Sequence, residues 1–173
     1  MGQYYKPISI DKMTFLYSHD YGNGLKLMEH SYIGNSLVNT VESLLAPDGA
    51  WHKNSIVWAG DYADEEGDST DNLYTQIGDD SIEPKNMEER SSGRYIVNHT
   101  KKEFVDKELL PSNKEGWKVH PLPLLTCEGN GRGGGDYRLD NEHIGTWARD
   151  QISIEKEAPE DYEQLIPHFI MDY

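Results

Sequence analysis

Apolar residues recur along this chain with two different periods. Leu37, Val38, Val41, Leu44 and Leu45 fall at the spacing that collects side chains on one face of a helix. Asn35 or Ser36 is placed to cap that helix, and Pro47-Asp48-Gly49 ends it. Its other face carries Asn39, Thr40, Glu42 and Ser43, and the pattern predicts that these face solvent.

Elsewhere the period is two, or absent. Ile8 and Ile10 alternate ahead of an Asp11-Lys12 turn, and residues 13–17 follow as a β-rich run, which predicts a hairpin near the N-terminus. Residues 25–28 alternate weakly and suit a short strand. Residues 56–59 are apolar throughout, as in a central strand. A second hairpin is predicted from residues 94–99 and 103–106 around Thr100-Lys101-Lys102. In residues 117–126, Val119, Leu122, Leu124 and Leu125 read as a strand, and Pro121 and Pro123 demote it to an edge or bulged one. Residues 147–155 alternate and predict a last strand, after which Ala158-Pro159-Glu160-Asp161 opens a short helix packed down by Tyr162, Leu165 and Ile166. The sum is an α+β fold, one domain over residues 1–173, with a mainly antiparallel sheet, one main amphipathic helix and long loops.

Between the strands lies the segment DYADEEGDSTDNLYTQIGDDSIE, residues 61–83, with nine acids and no Lys or Arg. Leu73, Tyr74 and Ile77 are its apolar anchors, and residues 79–93 are polar and aperiodic. The chain has a net charge of −15, of which residues 61–83 supply −9 and residues 155–173 supply −5. The rest is almost neutral. The two acidic segments, 61–93 and 155–173, therefore make a directional field that attracts basic partners and repels nucleic acid and anionic membranes. The contact surface predicted from this is Asp61, Asp64, Glu65, Glu66, Asp68 and Asp71, with Asp79, Asp80 and the C-terminal acids behind them. Keeping the protein in solution is the plain alternative role for these charges.

Hydrophobic content is 36%, on the low side, but four Trp and eleven Tyr provide large buried areas for a core. One cysteine, Cys127, excludes an intramolecular disulfide and a multi-thiolate zinc site. No run of apolar residues is long enough to span a bilayer, and the N-terminus has no signal-peptide core, so the expected compartment is the cytoplasm of the cell that makes the protein.

Chemical motifs are weak. Gly129-Asn130-Gly131-Arg132-Gly133-Gly134 matches a dinucleotide fingerprint in letters only, because no helix opening follows it. A backbone nest for an anion at Gly131, Arg132 and Gly133 is the remaining chemical reading of that loop. An EF-hand register through Gly67 puts Tyr62 and Leu73 at positions that need carboxylates, leaving only an irregular divalent site to consider. The seven His show no metal-ligand spacing. His19 and His30 bracket the first glycine loop, residues 22–24, and could meet the second, residues 129–135, with Cys127 and Arg132. That defines an alternative: a small enzyme or a nucleotide- or anion-binding protein. No cofactor is expected otherwise, and direct nucleic-acid binding is excluded by the lack of basic patches.

The blocks MGQYYKP, SHDYGNGLKLMEHSYIGN, VWAGDYAD, RYIVNHTKKEFVD and LLTCEGNGRGGGDYR resemble segments of small proteins from bacteriophages and gut bacterial mobile elements. Among these the chain looks most like an anti-CRISPR protein acting on type II effectors. The resemblance implies a non-catalytic inhibitor that binds a guide-loaded nuclease and blocks DNA binding or cleavage. It carries no motif that assigns site residues. The acidic composition is compatible with it, since such nucleases hold nucleic acid in positively charged channels, and carboxylates take bidentate bonds from Arg as phosphates do. A non-catalytic interaction protein of a mobile element is a third reading.

Overall fold

The computed structural model describes residues 3–67, 70–77, 93–129, 135–137, 139 and 141–170. Strand β3 (Asn54–Gly60) is buried along its length except at Ser55. Its apolar run is that of a strand covered on both faces. Along one edge lies β1 (Tyr5–Ser9), antiparallel, with Ile8 opposite Val57 and Tyr5 opposite Gly60. β1 in turn pairs with β2 (Thr14–Phe15), forming the predicted hairpin with a shorter second strand. The other edge of β3 is divided between two partners. Residues 54–56 pair antiparallel with β7 (Asp150–Glu155), and Trp58 and Ala59 pair parallel with β6 (Cys127–Glu128). Beyond β7 come β4 (Tyr95–Asn98) and β5 (Glu103–Asp106), the second predicted hairpin, and then β8 (Glu163–Gln164), parallel to β5. The described residues thus form an α+β fold on one open, mixed, mostly antiparallel sheet of eight strands.

Helix α1 (Ser36–Leu45) begins as predicted. Asn35 Oδ1 accepts from the Leu37 and Val38 amides at 2.9 and 3.2 Å, capping two donors that have no helical partner. Its apolar face packs on the sheet with Ile56, Ile96, Ile152 and Ile154. The other face corrects the solvent-facing expectation. Thr40, Glu42 and Ser43 are all buried, and only Asn39 is partly exposed. Thr40 and Ser43 satisfy their hydroxyls on the carbonyls of Ser36 and Asn39, so burial leaves nothing unpaired there.

Glu42 is held by two side chains from distant elements. His120 Nε2 donates to Oε2 at 2.5 Å, and Lys107 Nζ donates to Oε1 at 2.5 Å. His120 Nδ1 accepts from the Leu122 amide, which leaves the ring proton on Nε2 for Glu42. That same bond caps α3 (Pro121–Thr126), a helix where an edge strand was predicted. The correction has a simple cause. Pro121 and Pro123 lack the amide a strand ladder needs, but the first turn of a helix has no intrahelical use for those amides.

Three shorter predictions also change. Residues 25–28 make one bridge, Tyr4 with Lys26, and then curl into a 3-10 turn at Leu27–Glu29. The last predicted strand starts later, at Asp150, and is not the last. Residues 158–161 form no helix. The free edge of β5 takes up the following residues instead, with the Glu163 amide on Lys102 O and the Leu165 amide on Phe104 O. Leu165 packs against the core, whereas Ile166 is exposed.

Burial alone would raise the Glu42 pKa, but the His120 and Lys107 bonds outweigh it and lower the value from 4.5 to about 2. Its folded pKa lies below its unfolded one, so its contribution is complete above pH 4.5 and lost as pH falls towards 2. Acid unfolding followed by circular dichroism should show this loss, and Glu42→Gln should flatten it. Glu42→Ala leaves Lys107 and His120 without their acceptor and should cost about 3–5 kcal/mol in urea unfolding.

Candidate functional site

The acidic segment leaves β3 at Gly60 and is pinned at once. Asp61 Oδ1 accepts from the Tyr4 amide at 2.9 Å. Asn72 then braces the loop from inside, donating to Asp61 O at 2.8 Å and Ala63 O at 3.1 Å while its Oδ1 caps α2 (Leu73–Gln76) on the Thr75 amide. Leu73 and Ile77 are buried against Ile8, Phe15, Val57 and Ala59, and Tyr74 packs beside them, so the three predicted anchors all hold. Lys6 locks the end of this segment. Its ammonium lies 4.2 and 4.3 Å from the ring centres of Phe15 and Tyr74 and donates to Ile77 O at 2.5 Å. Burial pulls its pKa down to about 8.

The predicted contact acids separate by what they touch. Asp64, Glu65 and Asp71 are exposed. Asp61 is half-buried and engaged with the Tyr4 amide. Glu66 is half-buried and forms an ion pair with Arg149 Nη2. Asp68, Asp79 and Asp80 lie outside the described residues, as do Gly131, Arg132 and Gly133.

Asp64, Glu65 and Glu66 line an open cleft of about 460 Å³ together with Glu128 of β6, Arg149 and Cys127. The cleft follows from the divided edge of β3. Arg149 sits just before β7, where β6 and β7 meet, and its amide bonds to Ile56 O at 2.7 Å in a left-handed conformation, φ 68°. Its guanidinium takes Glu128 through Nε at 2.7 Å and Nη2 at 2.9 Å, and it also holds Glu66. The bonds to Glu128, and then to Glu66, raise its pKa further above the usual arginine range. Glu128 and Arg149 were invisible as site residues in the sequence. Glu128 is next to the glycine loop, and Arg149 reads as one polar position of an alternating strand.

Described residues beside the two glycine loops approach each other. Asp136 Oδ1 accepts from the Met28 amide at 2.8 Å, and Tyr5, whose amide bonds to Leu25 O, lies against Gly135. A Cβ on Gly135 would stand 2.7 Å from the Tyr5 ring, and one on Gly60 would stand 3.0 Å from it. The junction is therefore filled by a buried tyrosine. Burial, then the neighbouring Cys127, raises its pKa above the ordinary range. His30 is fully buried. Its Nε2 accepts from Trp58 Nε1 at 2.9 Å, so the ring proton is on Nδ1 and goes to Gly24 O at 3.1 Å. Cys127 is buried with its thiol on Leu124 O, and His19 is exposed with Nδ1 on Asn23 O. These neighbouring residues meet, but His30 and Cys127 there serve the core. Among the described residues no group of three or more His, Cys, Asp or Glu is arranged to hold a metal, and no helix is long and apolar enough to cross a membrane.

Compared with known proteins, the chain matches no family model, no curated protein and no solved structure.

Two outcomes are expected. Arg149→Gln should cost only about 1 kcal/mol, as for partly exposed ion pairs. It should nevertheless speed amide hydrogen exchange at residues 63–66, which lose their tie to the sheet. Burial lowers the His30 pKa from 6.5 to about 4, so its stabilising contribution is full above pH 6.5 and lost as pH falls through 4. Trp58 emission should change over that range, and His30→Gln should remove the transition.

Proposed function

We propose that the chain is a non-catalytic binding protein whose acidic cleft docks on a basic surface of a nucleic-acid enzyme and inhibits it. The observation that supports this most is the make-up of the cleft. Among its lining residues are four carboxylates, Asp64, Glu65, Glu66 and Glu128, and one cation, Arg149. A partner arginine or lysine entering there meets Glu66 and Glu128 already fixed by Arg149, with Asp64 and Glu65 on a backbone that Asn72 braces at Ala63 O, so less ordering entropy is lost on binding. Tyr62, exposed beside them, adds an aromatic face for the same kind of cation. The excess negative charge of the segment would steer such a partner from a distance. The resemblance in sequence points to a guide-loaded type II CRISPR nuclease as the partner class, and that class presents the positively charged channel this reading requires.

The test is retention of such a nuclease by the immobilised protein across a salt titration. Retention should be strong at low salt and fall steeply as salt screens the charges. Replacing the exposed acids together, as Asp64→Asn, Glu65→Gln and Asp71→Asn, should weaken binding by at least about tenfold while melting stays within about 0.5 kcal/mol of the parent. Equal retention by parent and variant would reject the cleft as the contact. Absence of retention at any salt would favour the reading in which the acids serve solubility alone.

A further inference from the structure

The face of the sheet turned away from α1 is covered unevenly. Over β1 and β3 it is closed by Ile8, Phe15, Val57, Leu73 and Ile77. Over β4 and β7 the alternation of the strands brings Val97 and Ser153, direct partners in the ladder, to that same face, with Glu155 next along it. Neither apolar cluster includes them.

A row of polar side chains occupies this part instead. The Tyr162 hydroxyl lies 3.1 Å from His99 Nδ1, and His99 Nε2 lies 2.7 Å from Ser153 Oγ. Glu155 Oε2 lies 2.8 Å from His52 Nε2, and the Ser153 hydroxyl also supports that carboxylate. Burial would raise the Glu155 pKa, but Ser153 and His52 outweigh it and hold the value below the usual carboxylate range. The His99 pKa is lowered, first by burial and then by the charge of Lys53, with Glu155 opposing. Both His99 nitrogens are engaged. The Glu155 charge is met by hydrogen bonds from both sides.

Above this row is an open groove of about 450 Å³. Pro47 and Pro159 give it apolar walls over the fully buried Val97, and Lys53 and Lys156 stand with His52 on its rim, beside an exposed Glu157. Among the described residues neither lysine has an ion-pair partner, and His52 Nδ1 makes no hydrogen bond. Lys53 is held in the left-handed region, φ 61°, a conformation that costs a non-glycine residue about 1 kcal/mol and collects at functional positions. An apolar concavity with a few convergent polar groups is the usual form of a small-molecule site.

We propose that this groove binds a small organic anion, its carboxylate or phosphate group between Lys53 and Lys156, beside His52, and its apolar body against Pro47 and Pro159. The site is separate from the acidic cleft, and neither reading depends on the other. The test is an NMR titration of the labelled full chain with benzoate, phenyl phosphate, inorganic phosphate and benzyl alcohol, reading the imidazole resonances of His52 and His99. Benzoate or phenyl phosphate should give saturable shifts at both rings, and whichever binds more tightly identifies the anionic group. Inorganic phosphate, without an apolar body, should bind at least about tenfold more weakly than the better organic anion, and benzyl alcohol should not shift these resonances. Lys53→Asn with Lys156→Gln should weaken binding by at least about tenfold, Asn being chosen because it tolerates the left-handed backbone. Lys156→Gln alone, on the exposed rim, should weaken it several-fold and provides the reading if the double variant is unfolded. The proposal is overturned by absence of saturable shifts with both organic anions, by equal binding of benzyl alcohol or of inorganic phosphate, or by parent-like binding in Lys156→Gln.

Discussion

The second edge of β3 is shared by two strands, and much of the architecture follows from that division. β7 takes its first half and β6 its second. Backbone donors and acceptors along a buried strand must all find partners, so the junction between β6 and β7 has to be closed by something. Arg149 closes it. Its amide completes the bonding of Ile56, at the cost of a left-handed backbone, and its guanidinium reaches out to Glu128 and Glu66. The acidic segment is thereby tied to the sheet at the point where two strands part, and the cleft is the space left between them.

The interior shows how a chain with modest hydrophobic content fills a core. Aromatic residues bring polar atoms with them, and those atoms are satisfied across long sequence separations. Trp58 bonds to His30, Trp51 to Thr14 and Trp147 to Glu103. Among the described residues no buried side-chain nitrogen or oxygen lacks a partner. Glu42 with His120 and Lys107, and Lys6 between Phe15 and Tyr74, are the charged instances of the same rule. Replacing a whole buried ionic group by apolar side chains of the same shape is often neutral or stabilising, whereas removing one partner strands a buried charge.

Both candidate surfaces are organised by β7. Arg149, just before it, lines the acidic cleft, and Glu155, at its end, supports the histidine groove. The six residue steps from Arg149 to Glu155 place the two about 20 Å apart along an extended strand. They differ in chemistry as much as in place. The cleft gathers carboxylates around one arginine. The groove sets two lysines, without an ion-pair partner among the described residues, over apolar walls. A chain with such a large negative charge thus keeps one small region suited to a guest of the opposite kind from its proposed protein partner.

What the sequence determined by itself was local. The Asn35 cap and the apolar stripe of α1, the two hairpins, the buried β3 and the anchors Leu73, Tyr74 and Ile77 could all be read, because each rests on neighbours a few residues apart. The concentration of acids in residues 61–83 was equally plain. Tertiary structure decided the rest. α1 became buried on its polar face because Lys107 and His120, distant in sequence, arrived to satisfy Glu42. Pro121 and Pro123 opened a helix because His120 was there to cap it. Residues 163–165 joined the sheet because β5 offered a free edge. The cleft and the groove are products of the same kind of event. Glu66 meets Glu128 through Arg149, and His52 meets Glu155, across separations that no local spacing encodes. Periodicity reports which face of an element is apolar, but which distant partner satisfies a polar group is decided only when the strands have chosen their edges.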